Sequence, residues 1–167
     1  IYNSGTWDAQ TDADLDHCSG SVSTFNNSGT FKKSSGGGST WGELCFNNSG
    51  ALQVLTGRVE LGAWFVSDTS SGSFTVAPGT TLDFLGGTHS LDSNSSLSGA
   101  GNVDFSGGTV NLNGAYDITG TTSVSGGIAN FDIHPTNLGN TLSVSGGTAN
   151  FNVASTISVT TVTLSSG

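Results

Sequence analysis

A pair of glycines returns along this chain at a nearly constant interval: Gly86-Gly87, Gly107-Gly108, Gly126-Gly127 and Gly146-Gly147, spaced 21, 19 and 20 residues apart. Each pair sits in the same local text, TLDFLGGTHSL, NVDFSGGTVNL, TSVSGGIANF and LSVSGGTANF. A related unit stands upstream as FNNSGTF at Phe25–Phe31 and FNNSGAL at Phe46–Leu52. A fixed period of this length marks a stack of supersecondary units, none of which buries its apolar face alone.

Within each unit the apolar residues alternate with polar ones, the period of a strand with one buried face. Leu82 and Phe84, Val103 and Phe105, and Leu142 and Val144 fall on one side; Asp83, Asp104, Ser123 and Ser143 fall on the other. Beyond the glycine corner the inner set is Val110 and Leu112, then Ala129, Phe131 and Ile133, then Ala149, Phe151 and Val153. Asn111, Asn113, Asn130, Asp132, Asn150 and Asn152 face outward. A third short strand per unit is expected at Phe74–Val76, Tyr116–Ile118 and Ile157–Val159. The expectation is an all-β parallel β-helix, or β-solenoid, of about eight coils of about 20 residues, with equivalent residues stacked at roughly the 4.8 Å strand spacing. Right-handedness follows the usual rule for parallel connections. A β-sandwich would also show many short strands and glycine turns, but it does not need them at constant spacing.

Composition agrees. Gly, Ser, Thr and Asn make up over half of the 167 residues, and Met is absent, so strong helix formers are scarce. Three Lys and Arg against twelve Asp and Glu leave a net charge of -9, the wrong sign for neutralising nucleic-acid phosphate. With 34% hydrophobic residues regularly placed and only 9% charged, the chain has the composition of a folded protein. It has no apolar run long enough to span a bilayer.

Both ends read as repeat text. IYNSGTW aligns with FNNSGTF, so that Ile1 matches Phe25 and Trp7 matches Phe31, and TVTLSSG resembles a strand entering a glycine corner. Residues 1–167 are therefore expected to form one solenoid segment, continued in a longer repeat protein or assembly, with 8–23 as an irregular acidic loop. Carried by FNNSGTF, FNNSGAL, SGSFTVAPGTTLDFLGGTHSL, LSGAGNVDFSGGTVNL, YDITGTTSVSGGIANF and LSVSGGTANF, the sequence resembles the β-solenoid repeat regions of very large bacterial surface and secreted proteins of the adhesin and autotransporter-passenger type. That resemblance implies an extracellular or cell-surface rod, stalk or filament without enzymatic activity, whose neighbours are further repeats or copies of itself end to end. It transfers no catalytic set.

Individual residues admit other readings. Asp12, Asp14 and Asp16 would share one face of an extended strand and could present carboxylates to Ca²⁺, or form a solvated acidic edge that deters wrong pairing. No other cofactor is expected. Trp41, Trp64 and Phe65 could stack on sugar rings and make the chain a carbohydrate-binding module, or pack under a loop. Asp83 and Asp104 would lie about 5 Å apart on adjacent coils, the separation of a retaining glycosidase pair, or simply stack in a surface column. Cys18 and Cys45 could form a disulfide in an oxidising compartment. Asn26, Asn47 and Asn94 fit the N-glycosylation pattern. His89 falls on the inward side beside Leu91, as an interior histidine rather than a ligand.

Overall fold

The computed structural model describes residues 1–15 and 23–165, with the backbone alone for Trp41 and residues 63–66. It is a parallel β-solenoid. Every paired strand runs parallel to its neighbour one coil away, and the described residues contain no helix. Three faces wind about one apolar interior.

The first face stacks Ser39–Gly42, residues 58–61, residues 81–84, Asn102–Phe105, Thr121–Val124, Thr141–Val144 and Thr161–Leu164. The second runs from Tyr2–Asn3 through Thr24–Asn27 and Cys45–Asn48 to residues 67–70 and 88–91, then Thr109–Leu112, Ile128–Phe131 and Thr148–Phe151. The third is a seven-stranded sheet from Thr6–Ala9 to Asn137–Leu138, so the solenoid makes about seven turns. The spacing of the glycine pairs gives about eight, but the early coils are longer: equivalent residues lie 24, 21 and 22 apart there against 19 and 20 near the other end. The strands expected at Phe74–Val76 and Tyr116–Ile118 form as Ser73–Val76 and Ala115–Ile118. Ile157 and Val159 pack against the core without joining a ladder.

Register places like on like. Phe84 pairs with Phe105 and Phe105 with Val124; Phe31, Leu52, Phe74, Leu97 and Tyr116 form one continuous inner column. Phe84 and Phe105 stack at 5.6 Å, as do Phe131 and Phe151 at 4.8 Å. These columns are almost wholly dry, so each coil buries the apolar face of the next and none is stable alone. Trp7 does pair with Phe31 and sets its ring edge-on to Phe25, but it is over a third exposed because no described coil covers its other side. Ile133, expected inside, is exposed as well: its strand ends at Phe131 and the chain turns through Pro135.

The glycine corners have two causes. Gly87 and Gly108 adopt positive φ (80° and 65°), open to glycine at little cost. Elsewhere the constraint is close stacking: a Cβ on Gly50 would lie 2.1 Å from the carbonyl oxygen of Gly29 one coil below.

Polar side chains also enter the interior. At the corner between the second and third faces, Asn3 donates to Asn27 Oδ1 (2.7 Å) and Asn27 to Asn48 Oδ1 (2.8 Å). The same amide nitrogens of Asn3, Asn27 and Asn48 donate to the carbonyls of Thr30, Ala51 and Ser73. Each amide nitrogen thereby reaches the turn of the neighbouring coil and ties the two coils together, which is how Asn27 and Asn48 can be buried to 1% exposure.

Candidate functional site

The first face carries a cluster of charged residues, Arg58, Glu60, Asp83 and Asp104. Its outward column runs Glu60, Asp83, Asp104, Ser123, Ser143 and Thr163, and the backbone of Trp41 is in register with Glu60. Stacked carboxylates repel at strand spacing unless a cation intervenes, and Arg58, on the same strand as Glu60, intervenes. Its Nη2 is hydrogen-bonded to Asp83 and lies 3.6 Å from Asp104 Oδ2, while Nε sits 2.9 Å from Glu60 Oε1. Ser106, Ser125 and Ser39 donate to Asp83, Asp104 and Glu60 respectively. Asp83 faces away from the core yet is 1% exposed. Burial is the largest single effect and works against the Arg58 charge, but the hydrogen bond to Asp83 and the charges of Asp83, Glu60 and Asp104 together outweigh it and hold the guanidinium above its ordinary range.

Asp83 and Asp104 are thus neighbours on adjacent coils, as their spacing implies, and both lean on one guanidinium. Both carboxyl groups are engaged within the chain, by Arg58 and by Ser106 and Ser125, whereas a glycosidase pair faces a sugar held between its two carboxyl groups.

Trp41 enters this face at the register position beside Glu60. Trp64 and Phe65 belong to an insertion in the long strand Arg58–Ser70. Gly62 pairs with Gly86 and Ser67 with Thr88, so residues 63–66 stand opposite Gly87 alone and form a wide bulge at the corner that follows the acidic column. Two aromatic-bearing segments therefore flank one acidic column, although the positions of their side chains lie outside the described residues.

The acidic loop is organised by a lysine. Lys33 falls in an inner column with Val54 and Val76 and is wholly buried. Its ammonium donates to Asp12 Oδ1 (2.7 Å), the carbonyls of Thr11 and Ser35 (3.1 and 3.2 Å) and Thr40 Oγ1 (3.2 Å). The hydrogen bond from Lys33 holds the Asp12 carboxyl below its usual range, with burial opposing and the Gly38 backbone assisting. Asp12 is thereby spent on a cation of the chain itself. Asp14 lines a groove of about 350 Å³ with Trp7, Asp8 and Thr40, and Asp16 lies outside the described residues. Among the described residues no three His, Cys, Asp or Glu side chains gather as a metal site.

Cys45 carries a free, half-buried thiol, pushed up in pKa by burial and secondarily by Asp68, which leaves little thiolate for chemistry at neutral pH. Cys18 lies outside the described residues. Of the three sequons, Asn47 donates to Asn26 (3.0 Å) and accepts from the Thr69 amide, whereas Asn94 is exposed on the turn between Asp92 and Ser95. Asn26 and Asn47 also line a shallow groove of about 320 Å³ beside the exposed ring of Tyr2.

Three polar devices escape a reading by composition: the Asn27 amide column, the Lys33 socket, and a buried Asp68–His89 pair. The signal was nevertheless present, because strict alternation puts Asn27 two after Phe25, Lys33 two after Phe31, and Asp68 in line with His89. Comparison of the chain with family models, with curated proteins and with solved structures found no match in any of the three.

Proposed function

We propose that this chain is a non-enzymatic structural rod, a stalk or filament segment of an extracellular surface protein, with further coils or copies of itself stacked end to end as its neighbours. The observation that carries the reading is how the outer side chains are spent. Asn111, Asn130 and Asn150 form an axial amide column at 2.8 Å per contact, Asn152 donates to Asp132, and the serines of the first face donate to its carboxylates. These bonds run parallel to the backbone ladder and add stiffness along the axis, while leaving few outward groups for substrate. Resistance to bending is the property that such a surface supplies. Electron microscopy of the native preparation tests this: rods in which the chain occupies a length of the shaft support it, and dispersed particles no longer than a single chain refute it.

A second reading, a saccharide-binding module, is favoured by the register that brings Trp41 and the 63–66 bulge to the two margins of the acidic column. Retention on a polysaccharide panel that disappears in Trp41→Ala/Trp64→Ala, with the melting temperature unchanged, would select it over the rod. Glycan-active enzymology is a third reading. It requires turnover on the same panel that is abolished by Asp83→Asn with Asp104→Asn.

A further inference from the structure

On the first face from Ser39–Gly42 to Thr161–Leu164, and on the third from Thr6–Ala9 to Asn137–Leu138, backbone ladders carry the coil-to-coil hydrogen bonds at each joint. The second face is different at one place. Its first three strands form a sheet of their own that ends at Cys45–Asn48, and the strand stacked on it, residues 67–70, belongs to the large sheet. Across this joint the bonds come from side chains. The Phe46 amide donates to Asp68 Oδ2 (3.4 Å), the Asn48 amide to Ser70 Oγ (3.1 Å), and the Thr69 amide to Asn47 Oδ1 (3.2 Å). Backbone pairing resumes only in the turn beyond, where the Ser71 and Gly72 amides reach the Asn48 carbonyl.

The residues that wedge the joint are inner ones. Asp68 registers with His89 and then Val110, and Ser70 with Leu91 and then Leu112, so two polar side chains occupy places that apolar side chains fill in later coils. Asp68 is 4% exposed and His89 3%. His89 Nδ1 lies 2.8 Å from Asp68 Oδ2 and Nε2 lies 2.9 Å from the Gly86 carbonyl. Both ring nitrogens thus have a partner, one on each side of the ring. The His89 ring is fixed edge-on to Phe84. A carboxylate aimed at a backbone amide, and pinned from the other side by a histidine, substitutes for the ladder without rebuilding it.

We propose that this joint is a built-in hinge of the rod: the second face parts between Cys45–Asn48 and residues 67–70 before any joint closed by a backbone ladder opens, and the Asp68–His89 pair is the catch that holds it shut. Three side-chain bonds, each with its own rotameric freedom, replace a cooperative backbone ladder there. Opening needs no disruption of the first or third faces, whose ladders pass this level intact.

Hydrogen exchange on the whole chain, resolved to single amides by NMR, tests this. Phe46, Asn48 and Thr69 are compared with Val110, Leu112 and Asn130, the same positions at the joint three coils on. The hinge amides are expected to exchange at least about tenfold faster. In Asp68→Val/His89→Val, which removes the catch and the acceptor of the Phe46 amide while taking out both partners of a buried pair together, the hinge amides are expected to exchange faster still, by about tenfold or more, with Val110, Leu112 and Asn130 unchanged. Equal protection of the two sets in the unmodified chain overturns the proposal, as does a double variant whose hinge amides exchange no faster than those of the unmodified chain. The unmodified chain alone decides the first point if the variant does not fold.

Discussion

An ammonium group inside a β-solenoid survives only while its acceptors hold, and Lys33 has four of them converging from the acidic loop and the following turn. Lys33→Met keeps the length of the side chain and removes the charge. It is expected to lower stability by about 1–3 kcal/mol in chemical denaturation, less than the loss of a fully buried ion-pair partner, because Asp12 keeps 44% of its side chain in water. The pH dependence has a definite sign. Asp12 is held below its ordinary value by Lys33, and Asp8 by Ser34 first and then Gln10. Their contribution is fully present above the unfolded carboxylate value of about 4 and is lost as pH falls through the lower native values. The melting temperature is therefore expected to fall with acid below about pH 4, and Lys33→Met to flatten that acid limb; an unchanged limb would remove the socket from the account. Gly50 is constrained by its neighbour rather than by its own φ. Gly50→Ala sets a methyl group against the Gly29 carbonyl and is expected to cost about 2 kcal/mol or more, measured by the same denaturation.

Among the strands, stability resides in columns rather than in individual strands. Phe105 stands between Phe84, on which it stacks, and Phe131, which it meets edge-on at 6.3 Å. Phe105→Ala therefore opens a void shared by three coils and is expected to cost about 3–5 kcal/mol. Phe105→Leu is expected to recover most of that, and equal losses for the two would argue against aromatic stacking as a contributor beyond volume. The columns were legible in the sequence because alternation and period are backbone geometry written in side chains: Leu82, Phe84, Val103, Phe105 and Phe131 all lie where alternation puts them. What composition concealed were the polar members of inner columns. Asn27, Lys33 and Asp68 read as surface residues by type and are buried by position, because each finds its partner one coil away, 21 or 22 residues off in sequence. The burial of Asp83 was illegible for the same reason, since Arg58 and Ser106 reach it from the coils on either side.

Over the whole molecule, the parallel ladders make one stack in which contacts between coils, rather than within them, carry the structure. Seven turns at the strand spacing give a shaft of roughly 34 Å, a length that matters mechanically only if it is part of a longer one. The last described coil shows what a neighbour would cover: Thr161–Leu164 pairs on one edge only, with Val162 and Leu164 exposed at 50% and 75%. Copies joining through such an edge would continue the ladder and propagate as a filament. The most direct measurement of the rod proposal is diffraction from the aligned native assembly. The account predicts a reflection near 4.8 Å along the long axis, since the coils stack in that direction. A 4.8 Å reflection lying across the long axis, or an assembly with no axial strand repeat, would contradict it.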